Sequence, residues 1–278
     1  MSLLNSAFLC LVVLLLSGLS QAQSRINYYG EKFYQDLQSG AHDQELAADL
    51  KLILKSKHLQ TAGQLDKISA SCSDPKSCYE HTAIGYGAAR VFLFSYFYLV
   101  QNGNHYTVTD VYCGKEYEVP GPNGIPGSDI MNVEHTWPQS KFTHAYPTDT
   151  QKSDLHHLFP SDSKLNSDRG NFPFGEVARK VKDLKCPVSQ LGYPENSNQL
   201  SFEPPVAHRG NVARALFYFA IRYDMKIDQL QERFLRKWNQ EDPVDQQELD
   251  RNKAIQQAQG NRNPFVDYPE LVDRISDF

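Results

Sequence analysis

Four of the nine histidines fall between residues 135 and 157. They sit in two polar-aromatic segments, 131–140 (MNVEHTWPQS) and 153–160 (SDLHHLFP), and the second runs on into 161–170 (SDSKLNSDRG) and 171–176 (NFPFGE). Ionisable side chains this dense in strand-like sequence must find partners or face a cleft. Their types suit a hard divalent cation beside a general base. Glu134 and Asn166 offer oxygen ligands with one negative charge between them, so a bound divalent ion keeps about one positive charge for a phosphate. Few protein ligands leave several waters on the metal, which fits Mg2+ better than a structural zinc cage. His135, with an unperturbed pKa of about 6.5, is largely neutral near pH 7 and can take a proton from attacking water.

Such a site needs two strands and a helix. The first strand ends near His135, because Pro138 removes a ladder donor just beyond it. Leu155 to Phe159 reads as the second strand, with one of His156 and His157 pointing into the site and the other packing behind it. Ser161 or Asp162 caps a short helix through Ser167, and Gly170 lies just past its end. Leu165 anchors that helix and leaves Asn166 aimed at the end of the first strand. A flat strand puts Glu134 and His135 on opposite faces, so the reading requires a twisted or bulged strand end. Asp154 fixes the turn before the second strand, Trp137 and Phe172 belong to the core, and His144 lies on a surface loop.

Elsewhere, 43–59 and 83–100 read as helices, the second aromatic-rich and buried. Residues 105–119 alternate as strand, and 120–131 (PGPNGIPGSDIM) are loop. Asn211 to Tyr223 is a helix with a stripe of Val212, Leu216, Phe219, Ala220 and Tyr223. Arg214, Tyr218 and Arg222 lie opposite, and Phe217 and Ile221 make that face apolar too, so the helix is sandwiched. Residues 208–237 hold seven basic against three acidic side chains, and 239–278 hold four against nine. That pattern fits an anion-binding face or a helix paired with its acidic neighbour.

The 278 residues carry 28 basic and 33 acidic side chains, a net charge of -5. This excludes a protein that coats nucleic acid by bulk charge; a polyanion must be held by a local patch or a metal. The composition excludes disorder and coiled coil and predicts a single mixed α+β domain, mostly helical, with the site on a small sheet. Residues 1–22 carry no charge and read as a signal peptide cut after Ala22, the alternative being an uncleaved anchor. The mature chain, 23–278, keeps Cys72, Cys78, Cys113 and Cys186, an even set that predicts two disulfides in an exported protein. Three connectivities are open; Cys72 can close on Cys78 locally, and Cys113 then pairs with Cys186.

Glu134-His135, Ser153 to Leu158, Asn166 and Arg169-Gly170-Asn171-Phe172 together resemble the bacterial endonuclease I family, exported non-specific nucleases built on a ββα-metal motif. The similarity continues through Phe202-Glu203-Pro204-Pro205, Arg209-Gly210, Ala213-Arg214, Phe217-Tyr218, Arg222-Tyr223 and Gln259 to Phe265, covering about residues 85–270. The resemblance implies one Mg2+ per chain, replaceable by Mn2+ or Ca2+, on Glu134 and Asn166, with His135 as general base. It implies hydrolysis of DNA and RNA to 5′-phosphate ends by a periplasmic or secreted monomer free of the membrane. Family members also hold the scissile or product phosphate with an arginine. The loop between the two central segments has none here, which leaves Arg169 and Arg214 as candidates, each with a structural ion pair as the favoured alternative use of its fork. Asp168-Arg169-Gly170-Asn171 is similar to a motif of related nucleases that ends in the histidine base, but Asn171 cannot accept a proton. Two rival readings are a Zn2+ phosphoesterase using His135, His144 and His156, and a catalytically silent nucleic-acid-binding module on the same scaffold.

Overall fold

A helix with two apolar faces has to be enclosed, and the segment after residue 210 is. In the computed structural model, which describes residues 25–72 and 76–278, every residue from Val212 to Tyr223 is buried. The signal-peptide segment and Cys10 lie outside the described residues.

Helices α1 (Gly30–Ser39) and α2 (Asp43–Lys55) open the fold. The sequence reading runs α2 on to Leu59, but it stops four residues sooner. Lys57–Leu59 becomes strand β1 between β2 (Lys67–Ser69) and β3 (Cys78–Tyr79), where the His58 ring stacks on Tyr28 at 4.2 Å. The second expected helix is also shorter. After α3 (Tyr86–Val91) the chain widens into a π turn over Phe92–Phe97 before strand β4 (Val100–Asn102). A turn of five residues lets Phe92 and Phe97 stack with parallel rings 5.9 Å apart, an alignment the tighter α spacing cannot give. The expected strand over 105–119 is a hairpin, β5 (His105–Thr109) and β6 (Glu116–Glu118), whose turn Asp110 holds by accepting from Cys113 N at 2.6 Å.

The central unit follows as β7 (Met131–His135), a short helix α4 (Thr148–Lys152), β8 (Leu158–Asp162) and α5 (Ser163–Arg169). Then come β9 (Arg179–Lys182), β10 (Gln190–Tyr193) and β11 (Ser201–Glu203), in the order β11-β10-β9. Four helices close the chain: α6 (Arg209–Tyr223), α7 (Gln229–Glu241), α8 (Gln246–Gln259) and α9 (Pro264–Asp267). All named strand pairs are antiparallel, so the chain is α+β with small sheets.

Two apolar cores form. The larger surrounds α6 with Phe33, Leu50, Trp238 and Phe265; the smaller joins α3 and the β4-β5-β6 sheet to Met131, Val133, Leu155 and Leu158. The β7-β8 ribbon lies between them, with Leu165 of α5 on the larger core, so both cores brace it. Burying Phe219 or Leu158 contributes about 1.5–3 kcal/mol each. The pairs Cys72–Cys78 and Cys113–Cys186 stand at disulfide separation, with Cα atoms 6.1 and 5.6 Å apart. On α6 and α7, Arg214 pairs with Glu248 of α8 and Arg236 with Glu232, so these two cations are neutralised within the fold. Among the described residues no helix is long and apolar enough to cross a membrane.

Candidate active site

Strand β7 pairs with β8 in unbroken register, Glu134 opposite Phe159 and His135 opposite Leu158. Leu155–His157, expected as strand, is a 3-10 turn, and the strand starts three residues later. Asp154 explains the shift: its carboxylate caps the turn by accepting from His156 N at 3.1 Å, a side-chain competitor to the strand ladder. The same buried carboxylate accepts from Tyr218, Tyr223 and Gln259 at 2.7 to 2.8 Å. Burial alone would raise its pKa, but coupling to His81, His156 and His157 as they protonate in acid, together with the Gln259 amide, holds it well below the ordinary range. Asp154 is thus an anchor for the whole segment.

Asp162 caps α5 by accepting from Leu165 N at 2.8 Å, and its own N–H donates to Asp110 at 2.8 Å. Leu165 is buried and Gly170 ends the helix at φ 58. Asn166 then reaches β7, donating through Nδ2 to Asn132 Oδ1 at 2.6 Å and to the Val133 carbonyl at 3.1 Å. With its nitrogen spent on the strand, Asn166 keeps its oxygen as a ligand atom.

Glu134 is 1% exposed and its Oε1 has no hydrogen-bond partner. Burial pushes its carboxyl up, against the pull of Arg169. A buried, unsatisfied carboxylate oxygen on the face where Asn166 docks fits a hard divalent cation, whose preferred donors are carboxylate and amide oxygens. The described residues contain no group of three or more His, Cys, Asp or Glu able to hold a metal. A zinc site from His135, His144 and His156 is not assembled. His156 donates through Nε2 to the Asn261 carbonyl 3.3 Å away beneath Tyr218, and His144 is exposed.

The ladder has no bulge at Glu134-His135, so of the two strand-end forms the sequence reading allows, a bulge and a twist, the bulge is absent. His135 is 6% exposed, with Nε2 3.2 Å from the Lys152 carbonyl and Nδ1 3.3 Å from the Gln139 amide nitrogen. The carbonyl can only accept, so Nε2 carries the proton and Nδ1 holds the lone pair, facing a displaceable surface amide. Burial first, then the neighbouring His157 ring, holds the pKa of His135 down to about 3. His157 packs 5.5 Å from the His135 ring and bonds the Gln151 carbonyl at 2.8 Å; it supports the base and does not reach solvent. Trp137 is buried and stacked on Phe219 at 5.2 Å, a core residue as expected.

Both arginine candidates take the structural alternative to phosphate binding. Arg169 is 2% exposed and donates to the carbonyls of Thr136 at 2.7 Å, Gly170 at 3.1 Å and His135 at 3.4 Å, over the Phe174 ring. Arg214 is 1% exposed and forms a fork with Glu248 of α8. Both guanidinium groups are spent inside the fold, because acidic and carbonyl partners arrive from distant sequence. The cation at the rim is Lys152, half-buried, its ammonium 4.6 Å over the Tyr86 ring, which itself leans on His135 at 5.7 Å. Sequence reasoning missed Lys152, Gln139, Tyr86 and Asn132. A peptide carbonyl leaves no sequence signal, though Lys152, one of two lysines in the segment 141–152, was there to be noticed.

Residues 75–270 match the model of the endonuclease I family. An extracellular ribonuclease of Bacillus amyloliquefaciens is 36% identical over 181 residues, 58% of this chain and 58% of that protein. An extracellular deoxyribonuclease of Aeromonas hydrophila is 32% identical over 117 residues, 42% of this chain and 49% of its own. Endonuclease-1 of Buchnera aphidicola subsp. Acyrthosiphon pisum is 31% identical over 115 residues, 41% of this chain and 44% of its own. The matched stretch thus spans about half the length of these relatives.

Proposed function

The chain belongs to the endonuclease I family, and on that premise we propose that it is an exported, sequence-tolerant endonuclease that hydrolyses phosphodiester bonds of DNA and RNA with one divalent cation, Mg2+. The observation that carries this reading is the buried Glu134 Oε1 left without a hydrogen bond on the strand where Asn166 docks. Relatives named as extracellular ribonuclease and extracellular deoxyribonuclease support action on both nucleic acids outside the cytoplasm, and two disulfide pairs suit an oxidising compartment.

Glu134 and Asn166 would hold the cation, which would supply positive charge to the non-bridging phosphoryl oxygens and the departing 3′-oxygen. His135 takes the proton of the attacking water at Nδ1, while the Lys152 carbonyl fixes the tautomer through Nε2–H. Burial keeps the imidazole neutral at neutral pH, so no fraction of the base is lost to prior protonation. The Lys152 ammonium takes the phosphate role that Arg169 and Arg214 are too deeply committed to fill. Cleavage leaves a 5′-phosphate because the 3′-oxygen departs.

The test is plasmid and RNA digestion. With Mg2+ both are degraded, EDTA stops the reaction, and His135→Ala lowers the rate by about 10²–10⁴ while DNA binding persists. Full activity in His135→Ala removes the base, and reactivation by Zn2+ alone favours the phosphoesterase.

A further inference from the structure

Strand β9 is fully exposed along its length and forms the free edge of its sheet. Arg179, Lys180, Lys182 and Lys185 crowd its seven-residue neighbourhood against one acid, Asp183, in a chain whose net charge is -5. Lysines on an edge strand can serve merely to block pairing with another sheet. Two features here go further.

The first is a bulge. Lys182 pairs with Leu191, Lys180 with Gly192 and Arg179 with Tyr193, so Val181 is the extra residue. A regular strand would put residues 179 and 182 on opposite faces; the bulge brings both to the face of Leu191 and Tyr193. The Arg179 guanidinium lies 4.6 Å over the Tyr193 ring, which fixes it as a flat, extended cation. The bulge depends on Gly192, since a Cβ there would run into the Arg179 carbonyl and the Val177 side chain. The second is a tether. Lys182 and Lys164 both bond Asp168 Oδ1, at 2.6 and 2.7 Å, locking β9 against α5, the helix that carries Asn166. Residues two apart on a helix point to nearly opposite sides, so the strip stands about one helix diameter, roughly 10 Å, from the metal ligand.

Resting on the nuclease reading, we propose that β9 is a docking strip for the sugar–phosphate backbone of the substrate, held against the helix that carries Asn166. Charge complementarity selects a polyanion strand, and the rigid offset from α5 ties its register to the cleaved phosphate. The strip supplies affinity without reading sequence, because it meets phosphates and not base edges.

The test is the triple variant Arg179→Gln, Lys180→Gln, Lys185→Gln, which keeps the Lys182 tether and changes only exposed side chains. Binding of a labelled single strand of about 30 nucleotides is measured in EDTA at several salt concentrations. Losing about three contacts lowers the slope of log affinity against log salt by about 2 and raises Kd roughly 100-fold at about 0.1 M salt. With Mg2+, KM rises and kcat at saturation stays at the parental value. A parent that cleaves while the variant matches it in Kd and slope overturns the strip alone. A parent that neither cleaves with Mg2+ nor binds in EDTA overturns the nuclease reading and the strip with it.

Discussion

Arg169 Nε stops 3.5 Å from Glu134 Oε1, and neither buried atom makes a hydrogen bond. The arginine's other nitrogens are committed to the carbonyls of His135, Thr136 and Gly170, so it neutralises the carboxylate without claiming its lone pairs. Those lone pairs are what a hard cation needs.

Arg169→Met should therefore do two things. Removing one member of a buried ion pair costs about 3–5 kcal/mol, which lowers Tm by roughly 10 °C in a domain of this size. Mg2+ should then restore part of the loss, with a larger rise in Tm for the variant than for the parent, because it supplies the missing positive charge. Melting curves with and without Mg2+ read this directly. If Mg2+ moves neither curve, Glu134 holds no cation.

Lys152→Met keeps the peptide carbonyl that orients His135 and removes only the ammonium over Tyr86. The expected result is a fall in kcat/KM of about 10- to 100-fold, or about 1.4–2.8 kcal/mol of transition-state stabilisation, with the pH profile unchanged. Lys152→Arg should retain much of the rate. A Met variant as active as the parent would take the phosphate role away from this residue.

The sequence carries the candidate ligands more plainly than their setting. Glu134 and Asn166 stand out because a carboxylate and an amide in polar-aromatic strand and helix-start sequence have few structural uses, and Asp162 and Gly170 bracket α5 by ordinary capping chemistry. The enclosed helix α6 follows from its two apolar faces. What failed failed for long-range reasons. Arg214 looks available until Glu248 arrives from 34 residues away, and Arg169 until three backbone carbonyls converge on it. Leu155 to His157 mimics a strand by alternation, although Asp154 in front of it is a helix-capping signal that could have been weighed. The aromatic helix becomes a π turn because ring stacking at a spacing of five outweighs the α ladder.

Disulfide loss should separate the two pairs. Cys113 and Cys186 close a loop of sequence separation 73, while Cys72 and Cys78 are 6 apart. Loop-closure entropy gives roughly 4 kcal/mol for the long loop and roughly 2 kcal/mol for the short one. Denaturant midpoints of Cys113→Ser/Cys186→Ser and Cys72→Ser/Cys78→Ser should rank in that order, and the reverse order would mean that native-state packing, not chain entropy, dominates. The long bridge also ties the turn after β5, where Asp110 positions Asp162, to the segment following β9. Its loss should therefore lower activity more than the short one's.

Acid should unfold this protein early. Burial holds His81 and His157 at about 4 and His135, His156 and His208 at about 3, against about 6.5 in the unfolded chain. Between those values the unfolded state binds more protons, so stability is full above about pH 6.5 and drains as pH falls toward 4. Even one pKa unit realised at each of the five amounts to about 7 kcal/mol, comparable with the whole stability of a domain. Asp49, Asp110, Glu134, Asp242 and Glu248, whose carboxyls burial raises, push the other way, but each of those shifts is opposed by a neighbouring Lys or Arg or by backbone N–H donors. Urea unfolding followed by circular dichroism at pH 7.5, 6 and 5 should show the midpoint dropping steeply, with several protons taken up on unfolding. A midpoint that stays level from pH 7.5 to 5 would mean these histidines are already solvated in the folded protein, and the neutral buried imidazole assigned to His135 would go with them.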